Sequence, residues 1–193
     1  MDTLIFATNN QHKVEEVRQV LGNLFDIITL KEAGIYIDIP EPFETLEANA
    51  SEKSKTIYKL TKKNCFSEDT GLEVTSLNGA PGVKSARYAG EPQSFRANVD
   101  KLLTNLGVAQ NRKARFRTVI SLIINNKEIQ FDGICEGQII FEVKGQNGFG
   151  YDPVFIPDGS ILTFAEMDIK EKSLYSHRKK AIDKLILFLQ SVK

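Results

Sequence analysis

Neither sign of charge prevails in this sequence of 193 residues: 25 lysines and arginines stand against 25 aspartates and glutamates. A balanced chain spreads no basic field over its surface and carries no acidic tail, which argues against a nucleic-acid coat and against a solvating segment. A phosphate-bearing partner would have to be met by a local basic site. Cysteine is scarce. Cys65 and Cys135 are far apart, too few for a disulfide framework or a zinc site, and read as reduced, partly buried thiols. Long apolar runs are missing too, and no stretch approaches the roughly 20 residues that span a bilayer. Met1 to Ala7 lacks the basic lead and apolar run of a signal peptide. The expectation is a cytoplasmic protein with no membrane and no nucleic-acid partner. No Gly-x-x-x-x-Gly-Lys-Ser/Thr occurs, which excludes a P-loop ATPase. Internal repeats, low-complexity tracts and disordered linkers are absent as well, so residues 1–193 read as a single domain, at most two lobes sharing a core.

What is present is a pattern of alternating elements. Leu4 to Ala7 is a short apolar strand, followed by polar Thr8 to Gln11, then Val14, Val17, Val20 and Leu21 at helical spacing up to Gly22. Phe25 to Leu30 predicts a second strand, and residues 34 to 44, with Gly34, Pro40 and Pro42, a loop. Thr45 to Leu60 predicts a helix with Leu46, Ala50, Ser54, Ile57 and Tyr58 on one stripe. Cys65-Phe66 predicts a short strand stopped by Ser67 to Gly71, with another over Leu72 to Leu77 before the turn Asn78 to Gly82. Phe95 to Leu106 predicts a helix; Arg115 to Ile124, Glu128 to Glu136 and Gln138 to Val143 predict strands, the first two joined by a hairpin at Asn125-Asn126-Lys127. A last helix is expected from Ser176 to Val192. The class is mixed α/β.

Three stretches could handle a polyphosphate. Thr8-Asn9-Asn10-Gln11-His12-Lys13 opens a helix directly after a strand. Helix N-termini offer free N–H groups and a partial positive charge to anions, and Lys13 adds a full charge. The same residues also suit a plain helix cap. Glu41 precedes Thr45, Asn49 and Lys53, which lie four apart and share one helical face; that face could serve a phosphate–metal site or simply meet solvent. Glu68-Asp69-Thr70-Gly71 carries carboxylates suited to Mg²⁺, a hard cation that prefers oxygen, or forms an acidic turn.

A fourth region could hold a base. In Gly145-Gln146-Asn147-Gly148-Phe149-Gly150-Tyr151-Asp152 the glycines permit close backbone approach, Phe149 or Tyr151 could stack on a flat heterocycle, and Asp152 could accept from a ring N–H. His177 and Arg178 follow Ser176, a plausible N-cap, and sit in the first helical turn where positive charge opposes the dipole. Such donors would suit the O6 of a keto purine and reject adenine.

Taken together these stretches resemble the inosine triphosphate pyrophosphatase (Ham1-like) family nearly end to end. The marks are Thr8 to Lys13, Thr45 with Asn49-Ala50 and Lys53, Glu68 to Leu72, Gly79-Ala80-Pro81-Gly82 with Ser85 to Tyr88, Gly148 to Pro153, and Ser176-His177-Arg178. Each is moderately specific; their joint order and spacing is highly so. The resemblance implies a two-lobed mixed-sheet α/β fold with a long central cleft, usually a homodimer. It implies Mg²⁺-dependent attack of water on the α-phosphate of a non-standard purine nucleoside triphosphate such as ITP, dITP or XTP. It assigns Asp69, Lys13 and Lys53 to catalysis and Glu41 and Asp69 to the metal. Substrate binding falls to Thr8, Asn9, Asn10, Gln11, His12, Lys13, Thr70, Phe149, Gly150, Tyr151, Asp152, Lys172, His177 and Arg178. Glu68 stands where many members carry aspartate, Thr70 where many carry serine, and Phe43 where glycine is common. A Maf-like pyrophosphatase acting on modified pyrimidine nucleotides and a non-catalytic nucleotide-binding protein are the competing readings.

Overall fold

The computed structural model describes residues 3–21 and 24–191, so Gly22 and Val192, the expected ends of the first and last helices, lie outside the described residues, as do Met1 and Asp2. In chain order the elements are β1 (Thr3–Phe6), α1 (Gln11–Leu21), β2 (Asp26–Thr29), α2 (Leu46–Thr61), β3 (Cys65–Val74), β4 (Pro81–Gly82), α3 (Phe95–Leu106), β5 (Lys113–Ile124), β6 (Lys127–Ile139), β7 (Phe155–Pro157), α4 (Ile169–Tyr175) and α5 (His177–Ser191). The strands form one sheet in the order β2-β1-β3-β5-β6-β7, with β4 paired to β3. The class is the expected mixed α/β. β1 runs parallel to both β2 and β3, Ile5 facing Ile28 on one side and Cys65 on the other. Parallel neighbours need a crossover, and α1 and α2 supply the two. β3–β4 and β6–β7 are antiparallel. Asn125 and Asn126 turn the β5–β6 hairpin with φ of 50° and 62°, the left-handed pair that a two-residue turn requires.

Three expectations are corrected. Residues 65–74 are one ten-residue strand, β3, not a short strand, a turn and a second strand. Ser67, Glu68 and Asp69 look like a turn because they are polar, but all three are buried inside the sheet and face partners on helices distant in sequence. Similarly, β6 runs unbroken through Gly137-Gln138 to Ile139, where two strands were expected. Lastly, the final helix is preceded by another that the sequence did not announce, α4, whose Asp168 and Glu171 form a reciprocal capping box; Ser176 lies between α4 and α5, and its N–H closes α4 onto Lys172 O.

Contacts between Cα atoms group the chain into two compact units: Met1–Asp69, Thr118–Gly133 and Arg178–Lys193 in one, Thr70–Arg117 and Ile134–His177 in the other. In the first, Leu4, Phe6 and Phe66 of the sheet bury against Val14, Val17 and Leu21 of α1 and Ala181, Ile182 and Leu185 of α5. A separate cluster with Ile57 of α2 includes Ile5, Cys65 and Ile123. In the second unit Leu72, Val74, Phe116, Phe155 and Phe164 bury against Val99, Leu102 and Leu106 of α3.

Candidate active site

Everything at the acidic centre follows from the two-residue period of β3. Successive strand side chains point to opposite faces. Phe66 and Glu68 therefore go to the face of α1 and α5, where Phe66 stacks on Phe6 with centroids 4.4 Å apart. Cys65, Ser67 and Asp69 go to the face of α2: Cys65 packs with Ile57, and Ser67 Oγ donates to Ala50 O. Glu68 and Asp69 are adjacent carboxylates with separate partners.

On the α2 face, Lys53 Nζ lies 3.6 Å from Asp69 Oδ1 and is also paired with Glu41. The loop that carries Glu41 is pinned by Asn49, one helical turn before Lys53. Its Oδ1 accepts from Phe43 N–H and its Nδ2 donates to Phe43 O, each at 3.0 Å. The helical face of Asn49 and Lys53 is thus buried, not solvated, while Thr45 is the cap of α2, accepting from Ala48 N–H. Loop, helix and strand bring Glu41, Lys53 and Asp69 to one place. Phe43 enters through its backbone, which is why a side chain is tolerated there.

On the other face, Arg178 of α5 donates Nε and Nη2 to Glu68 at 2.8 and 3.0 Å, a bidentate fork, and Nη1 to Glu16 of α1. Lys13 Nζ lies 3.1 Å from the same Glu68. Burial would raise the pKa of Glu68, but the charges of Arg178 and Lys13 outweigh it and hold the carboxyl down at about 2. For Arg178 burial acts downward and is outweighed by Glu68 and Glu16, so the guanidinium stays charged. Glu16 did not stand out in the sequence. Its signal is position: it follows Lys13 by three residues on α1 and so shares its face.

At the start of α1, Asn10 Oδ1 accepts from Lys13 N–H and Thr8 Oγ1 accepts from Asn10 N–H, both at 3.2 Å. The cap reading is therefore realised for these two side chains. Asn9, Gln11 and His12 are exposed beside them, and Thr70 is half-buried in β3.

The glycine–aromatic loop lies in the second unit. The Tyr151 ring is in the core and its Oη donates to Ser85 O at 2.8 Å; burial, then Tyr88, push the phenol pKa up. Of the two aromatics it is Phe149 that remains half-exposed. Asp152 Oδ2 accepts from Phe149 N–H at 2.9 Å and from Lys172 Nζ at 2.7 Å, so it holds the loop. The Lys172 ammonium lies 5.0 Å over the Phe149 ring. Gly148 has φ +74°, and a Cβ there would lie 2.1 Å from Asp152 Oδ2; its smallness serves the loop's own carboxylate. Gly150, at φ +63°, faces open space. His177 stacks on Phe116, centroids 4.7 Å apart and planes 12° from parallel. His177 and Arg178 are successive helical residues whose side chains diverge by roughly 100°: the ring of one packs on Phe116, while the guanidinium of the other is held by Glu68 and Glu16.

Magnesium, which the sequence resemblance implies, can be tested against these donors. Among the described residues no three His, Cys, Asp or Glu side chains converge. Glu41 and Asp69 nevertheless meet at one ammonium, and Mg²⁺ is commonly held by one or two carboxylates with phosphate oxygens and water completing the shell. The residues fit the ion.

The model of the Ham1 family matches residues 4–188. A dITP/XTP pyrophosphatase of Porphyromonas gingivalis is 50% identical over 194 residues, covering 100% of both chains. One from Flavobacterium psychrophilum is 47% identical, covering 97% of this chain and 99% of its own. Among solved structures, the Ham1 protein of Staphylococcus aureus superposes with a TM-score of 0.90 at 38% identity, covering 100% of both chains.

Proposed function

The chain belongs to the Ham1 family, and from that premise we propose that it hydrolyses non-standard purine nucleoside triphosphates, dITP or ITP and XTP, to the monophosphate and pyrophosphate. The observation that carries this reading is the gathering of Lys53, Glu41 and Asp69 from helix, loop and strand around a single ammonium. Water attacks the α-phosphorus, the bond to the β-phosphate oxygen breaks, and pyrophosphate leaves. Asp69 orients the water and accepts its proton. Lys13 and Lys53 offset the charge that grows on the leaving group, and because both are already held by carboxylates they do so with little reorganisation. Glu41 and Asp69 would hold Mg²⁺, which when bound supplies charge to the phosphates as a Lewis acid. The Asn10-capped start of α1, with Thr8, Asn9, Gln11 and His12, takes phosphate oxygens through backbone N–H groups, and Thr70 touches substrate beside Asp69.

Phe149 and Lys172 take the base, Phe149 by stacking and Lys172 as a cation within reach of a keto oxygen, with Gly150, Tyr151 and Asp152 acting through the loop's shape. His177 and Arg178 keep the donor roles the resemblance implies, Arg178 doing so while held by Glu68 and Glu16. The chain acts as a homodimer, a reading supported by the exposed apolar Phe141 and Val143; light scattering should give twice the 21.6 kDa of one chain.

Pyrophosphate release from ITP, XTP, dITP, ATP, GTP, dTTP and 5-methyl-UTP, each with and without Mg²⁺, tests the proposal. Preference for the keto purines with Mg²⁺ supports it. Preference for the pyrimidines would transfer the protein to the Maf-like reading, and tight binding without release would make it a sensor.

A further inference from the structure

α3 buries a stripe made of Asn98, Val99, Leu102 and Leu106. Phe95, its first residue, sits on the same stripe by helical spacing, yet its side chain is 44% exposed. It does not belong to the apolar cluster of the second unit, and neither does Phe149. The two rings instead meet each other, centroids 6.0 Å apart and planes tilted by 48°. Ser94 fixes the start of the helix by accepting from Ala97 N–H, and Asp152 fixes Phe149 by accepting from its N–H. Both rings are therefore carried on anchored backbone. Beside them lies the buried Lys172 ammonium, over the Phe149 ring and paired with Asp152.

Two half-open rings at that tilt form a corner, not a slot. A flat heterocycle stacked on Phe149 would bring its outer edge toward Phe95. A single six-membered ring covers about one phenyl face and stops there. A fused bicycle is longer and extends into the second wall of the corner. We propose that Phe95 is a further substrate-contacting residue that determines specificity by meeting the second ring of a purine stacked on Phe149. This rests on the assignment of Phe149 to the base, and the test separates the two.

Wild type, Phe95→Ala, Phe95→Leu and Phe149→Ala are compared by calorimetric binding of IMP and UMP and by steady-state hydrolysis of ITP. An aromatic contact of this kind corresponds to about a two- to tenfold change in affinity. Phe95→Ala should weaken IMP binding and raise KM for ITP by that factor, with kcat within about twofold and UMP binding unchanged. Phe95→Leu, which keeps apolar bulk at the helix start and removes the π face, should show the same loss and carries the reading if the alanine variant does not fold. Wild-type IMP affinity in both Phe95 variants, with a clear loss in Phe149→Ala, overturns the role of Phe95 and leaves the base assignment standing. Unchanged affinity in all three overturns both. A fall in kcat at constant KM would place the action of Phe95 away from the base and also overturn the proposal.

Discussion

Glu68 and Asp69 are neighbours in the chain, equal in charge and both buried, but they have entirely different surroundings. Glu68 is clamped by the fork of Arg178 and by Lys13, with Glu16 on the far side of the arginine. Asp69 faces a lysine shared with a loop carboxylate. Glu68 and Asp69 therefore have separate partners on separate faces of the strand. A strand sends adjacent side chains to opposite faces, so one carboxylate closes an ion-pair network on the α1–α5 side while the other stands on the α2 side with Glu41. The longer side chain at position 68 then serves reach to Arg178, while Glu41 and Asp69 are the residues proposed to hold the metal.

The two faces of β3 can be perturbed separately. The largest effect is expected on the α2 face. Lys53→Met removes the ammonium that Glu41 and Asp69 share and should lower kcat/KM for ITP by about 10²–10³ or more, measured as pyrophosphate release. A loss under tenfold would show that the cluster is not at the chemistry. Next comes the opposite face. Glu68→Ala leaves Arg178 buried and short of its bidentate partner, and losing one member of a buried pair costs about 3–5 kcal/mol. Urea unfolding should show that drop; a change below 1 kcal/mol, by the usual worth of an exposed pair, would mean that the network is not a structural clamp.

A smaller effect sharpens the role of the loop. Asn49→Ala unmakes both bonds to Phe43 and should cost about 1–3 kcal/mol, with a raised Mg²⁺ requirement because Glu41 is no longer pinned. An unchanged Mg²⁺ titration would separate Asn49 from the metal reading. The smallest effect concerns Cys65, two strand positions before Ser67 on the Asp69 face. Burial pushes its thiol up from 9.0 to about 12. Because the folded pKa is raised, the stability Cys65 contributes is complete below pH 9 and is lost as pH rises toward 12. Iodoacetamide at pH 8 should leave Cys65 unmodified until urea is added, and Cys65→Ala should flatten the alkaline loss of stability; rapid labelling of the native protein would contradict the burial.

Helices with a regular apolar stripe were legible in the sequence: α3 begins and ends where its periodicity predicts, and α2 lies within a residue or so of it. The strands with polar centres were not. Nothing in Ser67-Glu68-Asp69-Thr70 announces a buried strand, since the groups that Ser67, Glu68 and Asp69 meet, Ala50, Lys13, Arg178 and Lys53, come from three helices scattered along the chain. α4 was missed although Asp168 and Glu171 spell a capping box, because it is short and runs into α5. For the site, residue types were legible and directions were not. The Tyr151 ring and the Phe149 ring look interchangeable in the sequence, and only packing shows that one is core and the other open. Likewise the burial of Asn49 and Lys53 could be seen only once the Phe43 loop folded onto them.

The division of labour along β3 is tested most directly by measuring pyrophosphate release from ITP and the urea midpoint on the same preparations of Asp69→Asn and Glu68→Gln. Asp69→Asn should keep a near-native midpoint and lose release by about 10²-fold or more, while Glu68→Gln should show the larger fall in midpoint. Asp69→Asn turning over at the wild-type rate, with Glu68→Gln inactive at full stability, would contradict it.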